Sequence, residues 1–292
     1  MAHVEQRSYC KALFEGKIEE DIVFPFPHLE GEERENLNMV IDSVAKFSRD
    51  RIKPEAIDKE KRISQEVMRG LSELGLMGMI IPEAYGGFSL SQRGYCRVIE
   101  ELSRTSASVA VTVGGHQSIG LKALILYGTE EQKKKYLPRL ATGEWIAAFC
   151  LTEPGAGSDA QSQKTTAVRK GDHYILNGSK QWVTNGGIAH VFTVFAQTEV
   201  VVKGAKKNRI SAFIVTRDMK GITIGPEEKK LGIRGSSTTP VIFENVNVPA
   251  ENLVGQEGNG FKVAMEILNS GRLGLASGCV GAARTMIQSS VA

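Results

Sequence analysis

Cysteine is scarce and unpatterned: Cys10, Cys96, Cys150 and Cys279 are the only four in 292 residues. No two stand at CxxC spacing, which excludes a zinc ribbon and offers no disulfide framework, so reduced thiols are expected. A surplus of one charge is also missing. Lys and Arg number 36 against 33 Asp and Glu, a formal net charge of +3. No basic cluster alternates with aromatics, which removes nucleic acid from the expected partners. No uninterrupted run of 18 apolar residues occurs, so no membrane-spanning segment is expected. The first residues carry neither a secretory apolar core nor an Arg-rich amphipathic pattern, so they indicate no compartment. What remains is the composition of an ordinary globular protein, 41% hydrophobic and 24% charged, with length enough for two or three domains.

The period of the apolar residues changes twice along the chain. Residues 1–36 show little periodicity and read as an arm, extended after Phe24 by Pro25 and Pro27. Over 37–51 apolar side chains recur at helical spacing until Pro54. Further helices are expected over 64–76, 91–104, 107–127 and 130–140, the first capped by Ser64 and the last by Thr129. Residues 107–127 are apolar on most faces, as a helix buried in a bundle would be. Past Gly143 the pattern becomes short β-branched and aromatic segments split by turns, at 146–151, 167–169, 173–176, 191–196, 210–216 and 240–243. These suggest an antiparallel sandwich or barrel, with 200–208 as a solvated hairpin tip. Helical spacing returns at Asn259 with Phe261, Ala264, Met265 and Leu268 on one face. Gly274, Gly278 and Ala282 would allow close helix approach, and the pattern is still running at Ala292. The reading is an α+β fold: an arm (1–36), an all-α N-terminal domain (37–145), an antiparallel β-barrel or sandwich domain (146–257), and the start of a truncated C-terminal helical domain (258–292).

Two stretches carry the chemistry. Thr-Glu-Pro-Gly-Ala-Gly-Ser-Asp (152–159) comes directly after the apolar Phe149-Cys150-Leu151. Asn-Gly-Ser-Lys-Gln-Trp-Val-Thr-Asn-Gly-Gly (177–187) leaves another β-like segment. Glycines admit close backbone approach, and their N–H groups can cradle an anion. Thr152 and Thr184 add hydroxyls, and Trp182 adds a flat face for an aromatic group. The pair resembles the flavin-binding signature of acyl-CoA dehydrogenases. Pro-Glu-Ala-Tyr-Gly-Gly (82–87), Gly-Thr-Glu-Glu-Gln-Lys (128–133), Tyr-Leu-Pro (136–138) and Leu-Gly-Ile-Arg-Gly-Ser (231–236) extend the resemblance. Gly16-Lys17, Phe-Pro-Phe-Pro (24–27), Gly-His-Gln-Ser-Ile-Gly (115–120) and Ile-Leu-Asn-Ser-Gly-Arg (267–272) look most like the family's mitochondrial very-long-chain branch, which includes a paralogue associated with respiratory complex I assembly.

That resemblance implies FAD as cofactor and α,β-dehydrogenation of a long or very-long-chain acyl-CoA in fatty acid β-oxidation, with hydride transfer to flavin N5. It implies that Phe149, Cys150, Leu151, Thr152, Gly155, Ala156, Gly157 and Ser158 line FAD. Trp182, Val183 and Thr184 would pack beside its ring. Ser158, Asn269 and Arg272 would meet the acyl-CoA. Electron-transfer flavoprotein as electron acceptor, a mitochondrial location and a homo-oligomeric full-length form are implied as well. Some relatives carry the catalytic Glu one residue before the arginine, where this chain has Gly271. The very-long-chain branch carries it in a C-terminal bundle, so the base is expected beyond Ala292 and the chain alone is expected to be inactive. A non-catalytic assembly scaffold and an acyl-CoA oxidase are the alternatives. Glu266, five residues before Gly271, faces another side of its helix. His116 reads as a satisfied core histidine and Cys150 as strand packing. Glu153 is expected to serve loop structure, and Asp159 to cap the segment after it.

Overall fold

A computed structural model describes residues 8–22, 24–25, 29–202 and 204–292, and the expectations at Phe26 and Pro27 lie outside them. The chain divides into two compact units, Met1–Val40 and Ile41–Ala292.

In the first unit α1 (Tyr9–Phe14) is capped by the Ser8 hydroxyl, which accepts from Lys11 N–H at 3.4 Å, and a 3₁₀ turn covers Glu20–Ile22. Helix α2 (Gly31–Arg51), which begins in this unit and ends in the second, starts earlier than the 37 expected from periodicity. Its first two turns are exposed and carry no apolar stripe. Glu32 and Glu33 at its start and Arg49 and Arg51 at its end complement the helix dipole instead.

In the second unit α3 (Pro54–Glu60) starts on the proline that stops α2, a residue suited to a first helical turn. Helices α4 (Gln65–Glu73), α5 (Gln92–Thr105) and α6 (Ala107–Gly114) come next. Each opens on a serine: Ser64, Ser91 and Ser106 accept from the backbone three residues on. Helix α6 runs through a π-helical turn, Gly115–Gly120, into α7 (Lys122–Tyr127). Helix α8 (Glu130–Ala141) has a full capping box, Thr129 and Gln132 each bonding the other's backbone N–H. Over Ala107–Tyr127 the chain is long and apolar enough to cross a bilayer, a property that its scattered polar residues hide from a count of unbroken apolar runs. Of an 18-residue apolar window within it, 67% is buried inside the protein.

Among the described residues the sheet has eight strands: β1 (Ala147–Cys150), β2 (Thr166–Lys170), β3 (His173–Thr184), β4 (Val191–Val202), β5 (Ala205–Thr216), β6 (Ile222–Ile224), β7 (Thr238–Pro249) and β8 (Leu253–Val254). Their order is β6-β7-β3-β2-β4-β5-β8, with β1 added on β4. Most pairings are antiparallel, as expected, but β1 and β2 pair parallel with β4, so the sheet is mixed. The expected 200–208 loop is instead largely strand, β4 and β5 remaining paired to Val202 and Ala205. Two-residue alternation sorts the core. Val191 and Phe195 of β4 and Ile210, Ala212 and Ile214 of β5 face the helices. Phe192, Val194, Phe213 and Val215 face the other side with Tyr174, Val241 and Phe243. Helix α9 (Gly260–Val291) closes the chain. It lies along α5 through its small residues: a Cβ on Gly274 would stand 2.7 Å from Tyr95, and one on Gly281 1.9 Å from the Glu100 carbonyl oxygen.

Candidate functional site

Strand alternation in β1 sets the first wall. Phe149 and Leu151 turn toward the helical side, Cys150 away from it into the opposite core. After β1 the chain makes a tight turn, Glu153 and Ala156 exchanging backbone hydrogen bonds of 3.1 Å around Pro154 and Gly155. The loop is pinned from beneath by Lys180. Fully buried, its ammonium donates to Glu153 Oε1 at 2.8 Å, Gln163 Oε1 at 2.6 Å and the Leu151 carbonyl at 3.1 Å. Glu153 also accepts from the backbone N–H of Lys164 and Thr165 at 2.6 and 3.0 Å. Burial pushes the Glu153 carboxyl up, but these hydrogen bonds outweigh it and hold it below the ordinary range. Burial pulls Lys180 down. The two preferences oppose each other, and three acceptors around three ammonium N–H groups favour the charged pair. Glu153 therefore serves the loop, as expected.

Strand β3 makes the second wall. The 177–187 stretch was expected as a turn, yet it stays in the sheet as far as Thr184, with two register shifts against β7. At the second shift Gln181 and Trp182 together oppose the single Pro240 between the pairs Lys180–Val241 and Val183–Thr239, a bulge of one extra residue. Trp182 takes φ +59°, a left-handed conformation costly for a bulky residue, and is thrown outward to 58% exposure. Gln181 N–H donates to the Thr152 carbonyl at 2.8 Å, joining the two walls directly. Beyond the strand, buried Asn185 (φ +66°) donates from Nδ2 to the Thr112 carbonyl at 3.0 Å, tying β3 to α6.

Between the walls lies a hollow of about 430 Å³ lined by Phe149, Thr152, Ser158, Trp182, Thr184 and Arg272, with Leu151 and Gly157 also on its surface. Ile119, Ala160, Gln181, Phe261, Met265 and Leu268 complete it. It opens beside an apolar channel of about 400 Å³ between α5, α6 and α9, and Ile119, Thr184, Leu268 and Arg272 line both. The π-helical turn makes the junction. A Cβ on Gly115 would lie 2.9 Å from the Thr184 methyl, so only glycine lets the turn come this close.

Some expected residues lie elsewhere. Cys150 and Val183 are buried in the core on the far side of the sheet, and burial pushes the Cys150 thiol up to about 12. Gly155 sits exposed at the turn tip, with Ala156 buried beneath it. Asn269 is exposed and lines neither space; it accepts from Arg272 Nη1 at 2.9 Å, holding that guanidinium at the junction. Residues missed in the sequence are those of the channel, above all Tyr95, Ile99 and Ser103 on α5 and Gly114 on α6. Their only sequence signal was the apolar periodicity shared with any core helix. Tyr95 is buried against Gly274 and pushed up to about 12 by desolvation.

His116, next to this junction, faces away from it. Its Nδ1 accepts from Ala147 N–H at 2.9 Å, so the proton is on Nε2, shared between the Met77 and Leu140 carbonyls at 3.1 Å each. Burial takes it down to about 4, and it is the neutral core histidine expected. Glu266 accepts from the Tyr127 hydroxyl and lines neither space. Asp159 precedes a 3₁₀ turn at Ala160–Ser162 without a side-chain cap to its backbone, and accepts from the Ser162 hydroxyl instead. Cys96, Cys150 and Cys279 are free thiols, and among the described residues no group of His, Cys, Asp and Glu could hold a metal ion.

Comparison with known proteins bears on this geometry. The family model for the acyl-CoA dehydrogenase N-terminal domain matches residues 34–144, and that for the acyl-CoA dehydrogenase middle domain matches 148–246. The human very long-chain specific acyl-CoA dehydrogenase, mitochondrial, is 45% identical over 99% of this chain and 45% of its own length. The chain thus spans less than half of that relative. Butyryl-CoA dehydrogenase from Megasphaera elsdenii superposes with a TM-score of 0.83 at 35% identity, over 91% of this chain and 70% of that one. Acyl-CoA dehydrogenase from Bacillus anthracis, solved with FAD, gives 0.77 at 42% identity, over 85% and 42% of the two chains. With a helical domain, a mixed sheet and a closing helix arranged as in these proteins, the chain belongs to the acyl-CoA dehydrogenase family.

Proposed function

We propose that the hollow and the channel form one site, in which FAD lies against the 152–158 loop and Trp182 while an acyl-CoA thioester extends its acyl chain into the channel, for α,β-dehydrogenation in fatty acid β-oxidation. The observation that carries this reading is the meeting of the two spaces at Thr184 and Arg272. The residues fit the cofactor. Among the described residues the hydroxyls of Thr152 and Thr184 and the Trp182 indole N–H have no protein partner, although all three residues line the hollow. Ring nitrogens and carbonyls are what such donors satisfy. Gly157 has no atom within 4 Å of where a Cβ would stand, leaving its backbone open to a phosphate. When bound, FAD supplies the acceptor for the hydride leaving the substrate β-carbon.

The chain's own work is binding and exclusion. The channel runs beside α9 from Leu268 to Ala282, about 21 Å of helix rise, long enough for an extended long acyl chain. Its apolar walls keep water from that chain, and among the described residues Arg272 is the one formal charge lining either space, suited to the polar thioester and CoA end. No Asp, Glu or His among the described residues lines either space. These side chains orient the substrate without removing its α-proton. Electron-transfer flavoprotein as acceptor, a mitochondrial location like that of the human relative and a homo-oligomeric full-length protein belong to the same reading. So does the division into helical (37–145), β (146–257) and closing-helix (258–292) domains. A non-catalytic scaffold in respiratory complex I assembly is the second reading.

The test is an FAD titration of purified chain followed by tryptophan fluorescence, then addition of palmitoyl-CoA. Saturable, weak quenching that Gly157→Val reduces at least tenfold is expected, with no dye reduction by palmitoyl-CoA. Absence of any saturable flavin binding overturns the site, and sustained dye reduction overturns the missing base. Co-purification of respiratory assembly proteins, without flavin bleaching by acyl-CoA, would select the scaffold.

A further inference from the structure

A second cleft, of about 650 Å³, opens between α4, α6 and the end of the sheet. Its charged lining is uneven. Lys61, Arg62 and Arg69 come from the end of α3 and from α4, Glu144 from the turn after α8, Glu227 from the loop after β6, and His190 from just before β4. Both carboxylates are already engaged. Glu144 accepts from Arg139 Nε at 2.9 Å, and Glu227 accepts from the Ser237 hydroxyl at 2.7 Å and Thr238 N–H at 2.8 Å. The cations are not. Lys61 and Arg69 have no ion pair or hydrogen bond among the described residues, and Arg62 only a 3.5 Å approach to Glu60. His190 Nδ1 accepts from Ile146 N–H at 3.2 Å, which puts its proton on Nε2 as a further donor.

The floor gives the independent sign of a ligand. Thr112 lines the cleft, is 1% exposed, and its hydroxyl has no hydrogen-bond partner. A buried hydroxyl left unmade costs on the order of 1–3 kcal/mol, so an unpartnered one beside an open cleft calls for a guest. Ile63, Met68, Ile146 and Ile188 give the walls apolar area as well. We propose that this cleft binds an organic phosphate, its phosphate held by Arg62 and Arg69 and its body lying over Thr112. Paired guanidinium groups match phosphate oxygens in geometry, and the apolar walls cover the non-ionic part. The flavin hollow shares no lining residue with this cleft, so each can fail alone.

The experiment titrates the full chain with ADP, and with inorganic pyrophosphate in parallel, by calorimetry at two salt concentrations. Saturable ADP binding is expected, weakened at least tenfold by Arg69→Gln and several-fold by Thr112→Val, both variants keeping the parent's flavin titration and circular dichroism. Pyrophosphate is expected to bind more weakly than ADP and to ignore Thr112→Val, because it lacks the body that reaches the floor. No saturable binding of either probe overturns the proposal. So does ADP binding that Arg69→Gln leaves unchanged or that a modest rise in salt abolishes, the signature of diffuse surface charge.

Discussion

Lys180 shows how one side chain holds a whole loop. Its ammonium is fully buried, and everything it touches belongs to the stretch that turns after β1. Breaking such a pair from one side strands the other charge. Lys180→Met leaves Glu153 ionised in a site with no counter-charge and is expected to cost about 3–5 kcal/mol. Adding Glu153→Gln should recover a large part of that loss, because the stranded charge disappears with it. Chemical denaturation of both variants measures the difference; equal stability of the single and double variants would remove the pair from the account. In the sequence Lys180 was legible only as a motif letter. Two-residue alternation from Tyr174 and Leu176 carries Lys180 inward, but its partners Glu153 and Gln163 lie on a loop distant in sequence, and nothing in spacing names them.

At the scale of elements, small residues on α9 were legible for what they are. Gly274 and Gly278 stood at helical spacing in the sequence, and the structure packs both against α5, on Tyr95 and Ser103. Gly281 is the tightest: an added Cβ would stand 1.9 Å from the Glu100 carbonyl oxygen, a backbone atom that cannot swing away. Gly281→Val should therefore pry α9 from α5 at a cost of about 1–3 kcal/mol or more, as overpacking does. The midpoint of urea unfolding reports it, and an unchanged midpoint would mean the two helices are not held there. Other elements resisted reading for physical reasons. The start of α2 has no buried face and so no apolar period. β1 pairs parallel with β4, and pairing direction leaves no trace in the period of either strand. Trp182 looked like a flat face beside a ligand and does line the hollow. The left-handed backbone that puts it there arises from cross-strand register, which one strand's sequence does not contain.

At the scale of the whole molecule, His116 is the knot between layers. From the π-helical turn it accepts from Ala147 at the start of β1, and donates to the loop at Met77 and the end of α8 at Leu140. All of that requires the neutral ring. Its folded value of about 4 lies below the ordinary 6.5, so the unfolded chain takes up this proton more readily than the native one. Stability from His116 is thus fully present above about pH 6.5 and is lost as pH falls toward about 4, by about 2.5 kcal/mol at about pH 4.5. Glu153 has the same sign, but its depressed carboxyl acts in a lower window, below the ordinary carboxylate range. His190 is also lowered by burial and acts with the same sign, yet it stays in place when His116 is changed. His116→Asn should therefore lower stability at neutral pH, because one ring cannot be replaced across three segments. The same change should flatten the decline between neutral pH and the onset of carboxylate titration. Unfolding free energies of parent and variant across that range give the answer as a difference. Parallel pH curves would mean that the histidine titrates alike in the folded and unfolded chains, and that the tie between helices and sheet is made elsewhere.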